Sequence, residues 1–270
     1  MNLISSRANP RIRMIRSLRS KKTRGETRLF LVEGIRHVGE AVEAGAEIRS
    51  IYYAPDLLHS SFGHDLIQQQ EQHGIECIQV SGEVFNSLAD KENPQGILAV
   101  VQQPVQSLHD LSPHDFRWGV AIVSPQDPGN LGAIIRTIDA VGASGIILLD
   151  GGVDPYHPSA VRASMGTLFW QKVVSASFSE FSSWAVRSGY HIYGSSAHAE
   201  LDYRQKLEYL SPGVLLLGSE REGLTTEQAA VCECLVRLPM LGTATSLNLA
   251  VAAGVLLYTM LAGNPNYASP

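Results

Sequence analysis

The first hundred residues of the chain alternate between short apolar runs and longer amphipathic stretches. Short apolar runs flanked by turn residues are typical of strands, and longer amphipathic stretches are typical of helices. The pattern predicts strands at 29–33, 51–54, 76–80 and 96–101, and helices at 35–44, 65–74 and 83–88. We therefore expect a small α/β unit in this part of the chain.

A second region of alternation begins near residue 117 and carries stronger apolar runs. Its predicted strands lie at 120–123, 145–149, 171–175, 191–195, 214–217 and 235–238. Its predicted helices lie at 130–141, 178–188, 225–231 and 247–262. Continuous runs of Ile, Val and Leu are typical of strands buried on both faces, so we expect an α/β fold with a mostly parallel sheet.

A polar segment separates the two regions. Residues 102–115 contain two prolines and follow neither the helical nor the strand period, which is typical of a linker. The sequence thus predicts a smaller N-terminal α/β domain at 1–105, a linker at 106–116 and a larger α/β domain at 117–270.

Composition and cysteine pattern exclude several classes of protein. A chain with 44% hydrophobic and 17% charged residues can bury a core, unlike a disordered chain. The three cysteines form no CxxC pair and the nine histidines lack metal-ligand spacing, so we expect neither a disulfide framework nor a metal. The longest apolar stretch, 247–262, has 16 residues and includes Asn248, which is short for a membrane span. We expect a cytoplasmic protein without a membrane partner.

Charge is distributed unevenly along the chain. Residues 1–36 contain ten Lys and Arg against two Glu, a net charge of +8, whereas the whole chain has a net charge of −5. Clustered basic side chains bind polyanions, so the basic segment at 1–28 predicts contacts with nucleic-acid phosphates. The residues that we expect to make these contacts are Arg7, Arg11, Arg13, Lys21, Lys22 and Arg24. A solvated helix end is the alternative interpretation.

Three polar, glycine-bearing stretches each follow a predicted apolar strand, at 124–136, 218–224 and 238–249. Parallel α/β sheets bind their ligands at the carboxyl ends of strands. We expect Asn130 to cap the helix in the first stretch, and Ser246 and Asn248 to offer capping groups in the third. A nucleotide-cofactor dehydrogenase is disfavoured, because GxGxxG is absent and the second stretch is acidic.

These stretches resemble, as a set, the three motifs of the SpoU/TrmH branch of the SPOUT RNA methyltransferases. They read N-L-G-A-I-I-R-T at 130–137, L-G-S-E-R-E-G-L at 217–224 and L-P-M-L-G-T-A-T-S-L-N-L-A-V-A at 238–252. The segment at 154–166 is similar to the family's intervening segment. The basic start, F-L-V-E-G at 30–34 and N-P-Q-G-I-L-A-V at 93–100 are similar to the ribosomal-protein-like substrate-binding domain that many members carry.

The resemblance implies a C-terminal domain with a deep trefoil knot and a homodimer. It also implies S-adenosylmethionine as methyl donor, bound in the knot. The positions that match the family's donor-binding residues are Leu217, Gly218, Leu238, Met240 and Leu247. The positions that match its catalytic residues are Asn130, Arg136, Glu220, Ser246 and Asn248. Arg221 departs from the family pattern, in which a glycine is common after the motif glutamate.

The implied reaction is 2′-O-methylation of an RNA ribose. A guanidinium has a pKa above 12 and is a poor base, so we expect Arg136 to bind the target phosphate and position the hydroxyl. The proton acceptor stays open among Arg136, Glu220 and water. We expect rRNA of the 23S type as the substrate ahead of tRNA. An antibiotic-resistance rRNA methyltransferase and a non-catalytic RNA-binding assembly factor remain alternatives.

Overall fold

The computed structural model describes residues 3–90, 92–205 and 207–264, which form two compact units. Unit 1 comprises the chain up to Pro104 together with Tyr156–Phe169, and unit 2 comprises Val105–Pro155 and the chain from Trp170 onward. The division after Pro104 lies beside the predicted boundary at residue 105. No sequence pattern indicated that Tyr156–Phe169 leaves unit 2 to join unit 1.

The described residues form eleven strands and ten α-helices. The strands are β1 (Leu29–Glu33), β2 (Ile48–Tyr53), β3 (Glu76–Gln79), β4 (Ile97–Gln102), β5 (Trp118–Val123), β6 (Gly145–Leu149), β7 (Lys172–Ala176), β8 (His191–Ser195), β9 (Leu201–Asp202), β10 (Gly213–Leu217) and β11 (Cys234–Arg237). The helices are α1 (Pro10–Ser17), α2 (Lys21–Thr27), α3 (Ile35–Glu43), α4 (Ser61–Gln72), α5 (Gly82–Leu88), α6 (Pro128–Ala140), α7 (Pro158–Ala163), α8 (Phe178–Arg187), α9 (Thr226–Ala230) and α10 (Leu249–Gly263).

Unit 1 is built on a four-stranded mixed sheet with the strand order β1-β4-β2-β3. Strand β4 is antiparallel to both of its neighbours, and β2 pairs with β3 in parallel. The sequence pattern predicted all four strands, because each has a buried apolar core of residues between polar turns. The expected small α/β unit is confirmed.

The basic N-terminal segment folds as two short helices. Helix α1 begins at Pro10, a residue suited to the first helical position, and Asn9 caps it by accepting from the backbone N–H of Arg11. Ile12, Ile15 and Leu18 are buried in the core of unit 1. The arginines between these apolar positions therefore surround a helix that is part of the fold.

Unit 2 contains a seven-stranded sheet with the order β7-β6-β5-β10-β8-β11-β9, in which all paired strands are parallel. The expected parallel α/β fold is confirmed. Strands β5, β6 and β10 are buried along their whole length, which explains their uninterrupted apolar runs. The two-residue strand β9 was not predicted, because its residues show no apolar pattern.

The segment predicted as a linker, 106–116, packs within unit 2. Leu108, Leu111 and Phe116 are buried in its core. Two aromatic side chains hold the segment by donating to its backbone carbonyls: Trp184 Nε1 to Leu111 at 3.3 Å, and the Tyr190 hydroxyl to Phe116 at 2.6 Å. The three buried residues are spaced irregularly among polar ones, so the segment shows neither a helical nor a strand period.

Helix α10 is apolar on every face. Ala253, Leu256, Leu257 and Met260 are buried in unit 2, and the helix packs against α6. None of the helices in the described part of the chain is both long and apolar enough to cross a membrane.

Candidate functional site

Two central strands of unit 2 create a crevice at one edge of the sheet. After β5 the chain continues to β6 on one side, and after β10 it continues to β11 on the other. Because β5 and β10 are adjacent and parallel, their carboxyl ends form a topological switch point, where open α/β sheets bind ligands. The first two polar stretches identified in the sequence both begin at this point.

Glu220 joins these two stretches. Its carboxylate accepts from the backbone N–H of Gln126 at 3.0 Å and of Asp127 at 3.4 Å. The side-chain amide of Asn130 donates to Glu220 Oε1 at 3.5 Å. The turn after β10 is therefore fastened to the start of α6 by one acidic side chain.

Asn130 also joins the third stretch. The side-chain amide of Asn248 donates to Asn130 Oδ1 at 2.8 Å, and Asn248 Oδ1 accepts from the backbone N–H of Ala250 at 2.9 Å as the cap of α10. The expected capping role of Asn248 is confirmed. Glu220, Asn130 and Asn248 thus form a hydrogen-bonded chain, here called the Glu-Asn-Asn chain, across three loops that are distant in sequence.

The expected capping role of Asn130 is wrong. Helix α6 begins at Pro128, and Asp127 caps it by accepting from the backbone N–H of Asn130 at 2.6 Å. The Asp-Pro pair is a strong helix-start signal that the sequence interpretation passed over. Because Asn130 lies inside the first turn, its side chain is available for Glu220 and Asn248.

The loop before α6 has an unusual backbone. Ser124 has a φ of 42° and Asp150, after the neighbouring β6, has a φ of 54°. The Ser124 hydroxyl donates to the Asp150 carbonyl at 3.1 Å. Gly152 has a φ of 97°, and a Cβ built there would lie 2.5 Å from the Pro125 carbonyl oxygen. Such conformations persist only where the surroundings hold them, and they cluster at functional sites.

A cavity of about 410 Å³ opens beside the Glu-Asn-Asn chain. All five residues expected to contact the methyl donor line it: Leu217, Gly218, Leu238, Met240 and Leu247. Glu220 and Ser246, expected to be catalytic, also line it. The volume lies within the range of about 300–1,000 Å³ that is usual for small-molecule sites.

Gly218 shapes the turn that borders this cavity. A Cβ at Gly218 would lie 2.0 Å from the backbone carbon of Gly223. The turn is also closed by a hydrogen bond from the Gly223 N–H to the Ser219 carbonyl at 3.0 Å. Only glycine at residue 218 permits this close backbone approach.

Arg136 lies apart from the other expected catalytic residues. It is exposed on α6, six residues beyond Asn130, and it is not among the residues that line the cavity. Six residues correspond to a rotation of about 240° around a helix. Arg136 therefore lies on a different face of α6 from Asn130.

Sequence reasoning missed part of the cavity wall. The cavity is also lined by Ser195, the last residue of β8, by Ser196, Ala197 and His198, which follow it, and by Thr245. Their position after an apolar strand was a usable signal, because β8 ends at the same edge of the sheet as β10. No motif marks this loop.

The basic residues of unit 1 have different environments. Arg24 is 1% exposed and donates to the backbone carbonyls of Leu18 at 2.9 Å and Arg19 at 2.7 Å. We therefore withdraw Arg24 from the expected RNA-contacting set, because its guanidinium is buried among backbone acceptors. Arg11 pairs with Glu76 at 2.5 Å, and Lys22 lies 3.9 Å from Glu26. Arg7, Arg13, Lys21 and Lys22 are exposed.

None of the three cysteines lines the cavity. The structure shows no cluster of three or more His, Cys, Asp or Glu side chains suited to a metal ion among the residues it describes. All three cysteines are free thiols. Burial raises the pKa of the Cys232 thiol to about 12, so this side chain stays protonated and unreactive at neutral pH.

Two family profiles cover most of the chain. The SpoU rRNA methylase family matches residues 118–258, and the MRM3-like substrate binding domain matches residues 9–99. The first match includes the Glu-Asn-Asn chain and all residues of the cavity wall. The second includes the five α-helices that precede β5 and the strands β1–β3.

Characterised relatives match both units. The chain is 34% identical to the 23S rRNA (uridine(2479)-2′-O)-methyltransferase of Streptomyces viridochromogenes over 89% of this chain and 84% of that protein. It is 30% identical to the 23S rRNA (guanosine(2553)-2′-O)-methyltransferase RlmP of Bacillus subtilis, over 96% of this chain and 98% of that protein.

A solved structure agrees with the fold. The AdoMet-bound rRNA methyltransferase from Sinorhizobium meliloti superposes with a TM-score of 0.87 and 35% identity, covering 96% of this chain and 97% of that chain. The motif positions, the sheet order and these matches lead to one conclusion: the chain belongs to the SpoU rRNA methylase family.

Proposed function

We propose that this protein transfers a methyl group from S-adenosylmethionine to a ribose 2′-hydroxyl of rRNA. The observation that carries the proposal is the Glu-Asn-Asn chain at the switch point, directly beside a cavity of ligand size. Two relatives that span nearly the same length are named 23S rRNA 2′-O-methyltransferases. The proposal places the protein in the cytoplasm, where rRNA and S-adenosylmethionine meet.

The cavity suits this donor by its chemistry. Leu217, Leu238 and Leu247 give it apolar walls for an adenine ring. Because Gly218 has no Cβ, the Gly223 backbone packs directly against it and the turn that borders the cavity stays tight. When bound, S-adenosylmethionine supplies an electrophilic methyl group on a sulfonium. The protein's part is to hold that group and the acceptor hydroxyl in line, which accelerates displacement by removing entropy loss from the reactive step.

Glu220, Arg136 and Ser246 have separate roles in the proposed reaction. Glu220 organises the loops, because both of its oxygens already accept N–H groups. We assign Arg136 to the phosphate of the target nucleotide, where a guanidinium acts only as a hydrogen-bond donor. Ser246 lines the cavity and offers a hydroxyl to either substrate. The proton acceptor is then water or Glu220, and the pH dependence of the rate in Glu220→Gln distinguishes these two.

We assign RNA contacts in unit 1 to Arg7, Arg13, Lys21 and Lys22. These side chains are exposed, whereas Arg24 is buried and Arg16 is only partly exposed and donates to Ser87. RNA binding should weaken with rising salt, and each lost phosphate contact should lower the slope by about 0.7 to 0.9. Arg11 contributes only if its ion pair with Glu76 opens.

We further propose a homodimer and the trefoil knot of the family. The dimer proposal is supported by an apolar stripe formed by Val251, Val255 and Tyr258 on α10 and by Leu247, which precedes the helix cap. Leu247 is 41% exposed, Val251 52% and Tyr258 55%. Exposed apolar stripes of this kind mark protein interfaces, and a second copy of this chain is the occupant we propose.

The test of the proposed function is transfer of labelled methyl groups. Undermethylated rRNA and tRNA are incubated separately with methyl-labelled S-adenosylmethionine and then digested to nucleosides. We expect label on ribose in the rRNA sample and its loss in Arg136→Ala. Arg136→Lys should recover little activity, because a lysine cannot bind phosphate in two-pronged fashion.

Other outcomes would change the assignment. Ribose label in tRNA alone would overturn rRNA as the substrate while keeping the reaction. Measurable donor binding without label in either RNA would favour the non-catalytic RNA-binding alternative.

A further inference from the structure

The turn after β10 places two side chains of opposite charge on the wall of the cavity. Arg221 and Glu222 are consecutive, and both line the cavity together with Gly218 and Gly223. The turn is held by hydrogen bonds from the Glu222 N–H to the Ser219 hydroxyl at 3.2 Å and from the Gly223 N–H to the Ser219 carbonyl at 3.0 Å. The two charged side chains therefore project from a fixed backbone.

The neighbouring carboxylates have different tasks. Glu220 accepts from two backbone N–H groups and from Asn130, so its oxygens serve the loops. The backbone of Glu222 is fixed by Ser219, and its side chain is exposed at the cavity wall. The cavity wall thus contains the Arg221 guanidinium and the Glu222 carboxylate, neither of which belongs to the Glu-Asn-Asn chain.

We propose that Arg221 and Glu222 bind the amino-acid end of the methyl donor, Arg221 its α-carboxylate and Glu222 its α-ammonium. This inference rests on the proposed function, because it requires a donor of this chemical class. The apolar residues of the cavity suit the adenosine end, whereas a zwitterion needs both signs of charge at once. An RNA phosphate is a poorer ligand for this pair, because it carries no cation to offset the carboxylates of Glu220 and Glu222, whereas the ammonium of a zwitterion does so.

Arg221 is thereby a specificity-determining residue. It separates donors that carry a carboxylate from nucleosides that lack one, since a site built for a charged group loses affinity when that group is missing. An arginine suits this role because its planar guanidinium binds a carboxylate through two parallel hydrogen bonds.

The test compares three nucleosides by titration calorimetry. S-adenosylhomocysteine carries both charges, decarboxylated S-adenosylmethionine has the ammonium without the carboxylate, and 5′-methylthioadenosine has neither. We expect Arg221→Ala to weaken S-adenosylhomocysteine about tenfold and to leave the other two unchanged. We expect Glu222→Gln to weaken S-adenosylhomocysteine and decarboxylated S-adenosylmethionine, each about tenfold, with 5′-methylthioadenosine unchanged.

Matched controls are Arg187→Ala and Glu208→Gln, which remove exposed charges of unit 2 that do not line the cavity. Neither should alter any of the three affinities. Arg221→Lys should recover part of the S-adenosylhomocysteine affinity, because it restores the charge without the two-pronged geometry.

Contrary results are distinguishable. Equal weakening of all three nucleosides by Arg221→Ala, or no weakening of any, would overturn the assignment. Unchanged nucleoside affinities with a loss of RNA affinity would assign Arg221 to a phosphate. If the wild type bound none of the three nucleosides, the failure would lie in the proposed function itself.

Discussion

Charged side chains serve different ends in the two units. In unit 1, Arg16 and Arg19 donate to groups on or beside α5, and Arg24 is buried among backbone carbonyls. In unit 2, Asn248 donates to Asn130 and Asn130 donates to Glu220, which links three segments of the chain beside a cavity. Charge density alone therefore does not identify a functional surface. Convergence of polar side chains at strand ends is the better indicator.

The largest effect is expected where the cavity depends on a missing side chain. Gly218→Ala places a Cβ about where the Gly223 backbone lies, at 2.0 Å, so the turn must open. We expect donor affinity, measured by calorimetry, to fall by about a hundredfold or more. Gly242→Ala is the matched control in the neighbouring loop, because nothing lies within 4 Å of its Cβ. Retained donor binding in Gly218→Ala would contradict the location of the site.

Two variants separate the structural arginines of the basic segment from those that we assign to RNA. Arg24→Ala removes a buried guanidinium that donates to one buried and one partly buried backbone carbonyl, and we expect the free energy of unfolding to fall by about 3 kcal/mol in denaturant titrations. Arg13→Ala removes an exposed side chain and should change stability by less than about 0.5 kcal/mol. It should instead lower the salt dependence of RNA binding by about one phosphate contact. The reverse pattern would overturn our division of these arginines.

Asn248 combines capping with a contact between loops, and two variants separate these roles. Asn248→Ala removes both and should cost about 1 kcal/mol of stability through the lost cap. Asn248→Asp keeps the capping oxygen but cannot donate to Asn130. We expect Asn248→Asp to retain stability while methyl transfer falls about tenfold. Full activity in Asn248→Asp would show that the bond to Asn130 has no part in the site.

The smallest effect concerns the pH dependence of stability. Hydrogen bonds from the Ser177 backbone and hydroxyl lower the pKa of Glu180 at the start of α8. A lowered pKa in the folded state means that this stabilisation is present above the unfolded pKa and is lost as pH falls through the folded one. We expect the melting temperature of the wild type to exceed that of Glu180→Gln near pH 7 and the difference to vanish at acid pH. A difference that grows in acid would contradict the cause.

Local patterns predicted much of the fold. The strands of both sheets except β9 were visible as apolar runs, because burial on one or two faces imposes such runs. Tyr156–Phe169 was not assigned to unit 1, because its placement depends on packing such as the contact of Tyr156 with Phe30, whose ring centres lie 4.7 Å apart. Helix α1 was hidden among arginines, since only three apolar residues bury it.

The sequence predicted which segments form the candidate site but not the hydrogen bonds that join them. Position at strand ends and family resemblance identified Glu220, Asn130 and Asn248. Their mutual hydrogen bonds join residues about ninety and more positions apart, which no local pattern reveals. The capping role of Asp127 could have been found from the Asp-Pro pair. The loop at 195–198 carries no motif, so its place in the cavity wall needed the structure.

Amide hydrogen exchange with and without S-adenosylhomocysteine tests most directly whether the donor binds at these loops of unit 2. We predict slower exchange for amides in 218–224 and 241–248, which contribute residues to the cavity wall, and no change across 10–33 in unit 1. Protection confined to unit 1, or no protection of either unit 2 segment at saturating ligand, would contradict the account.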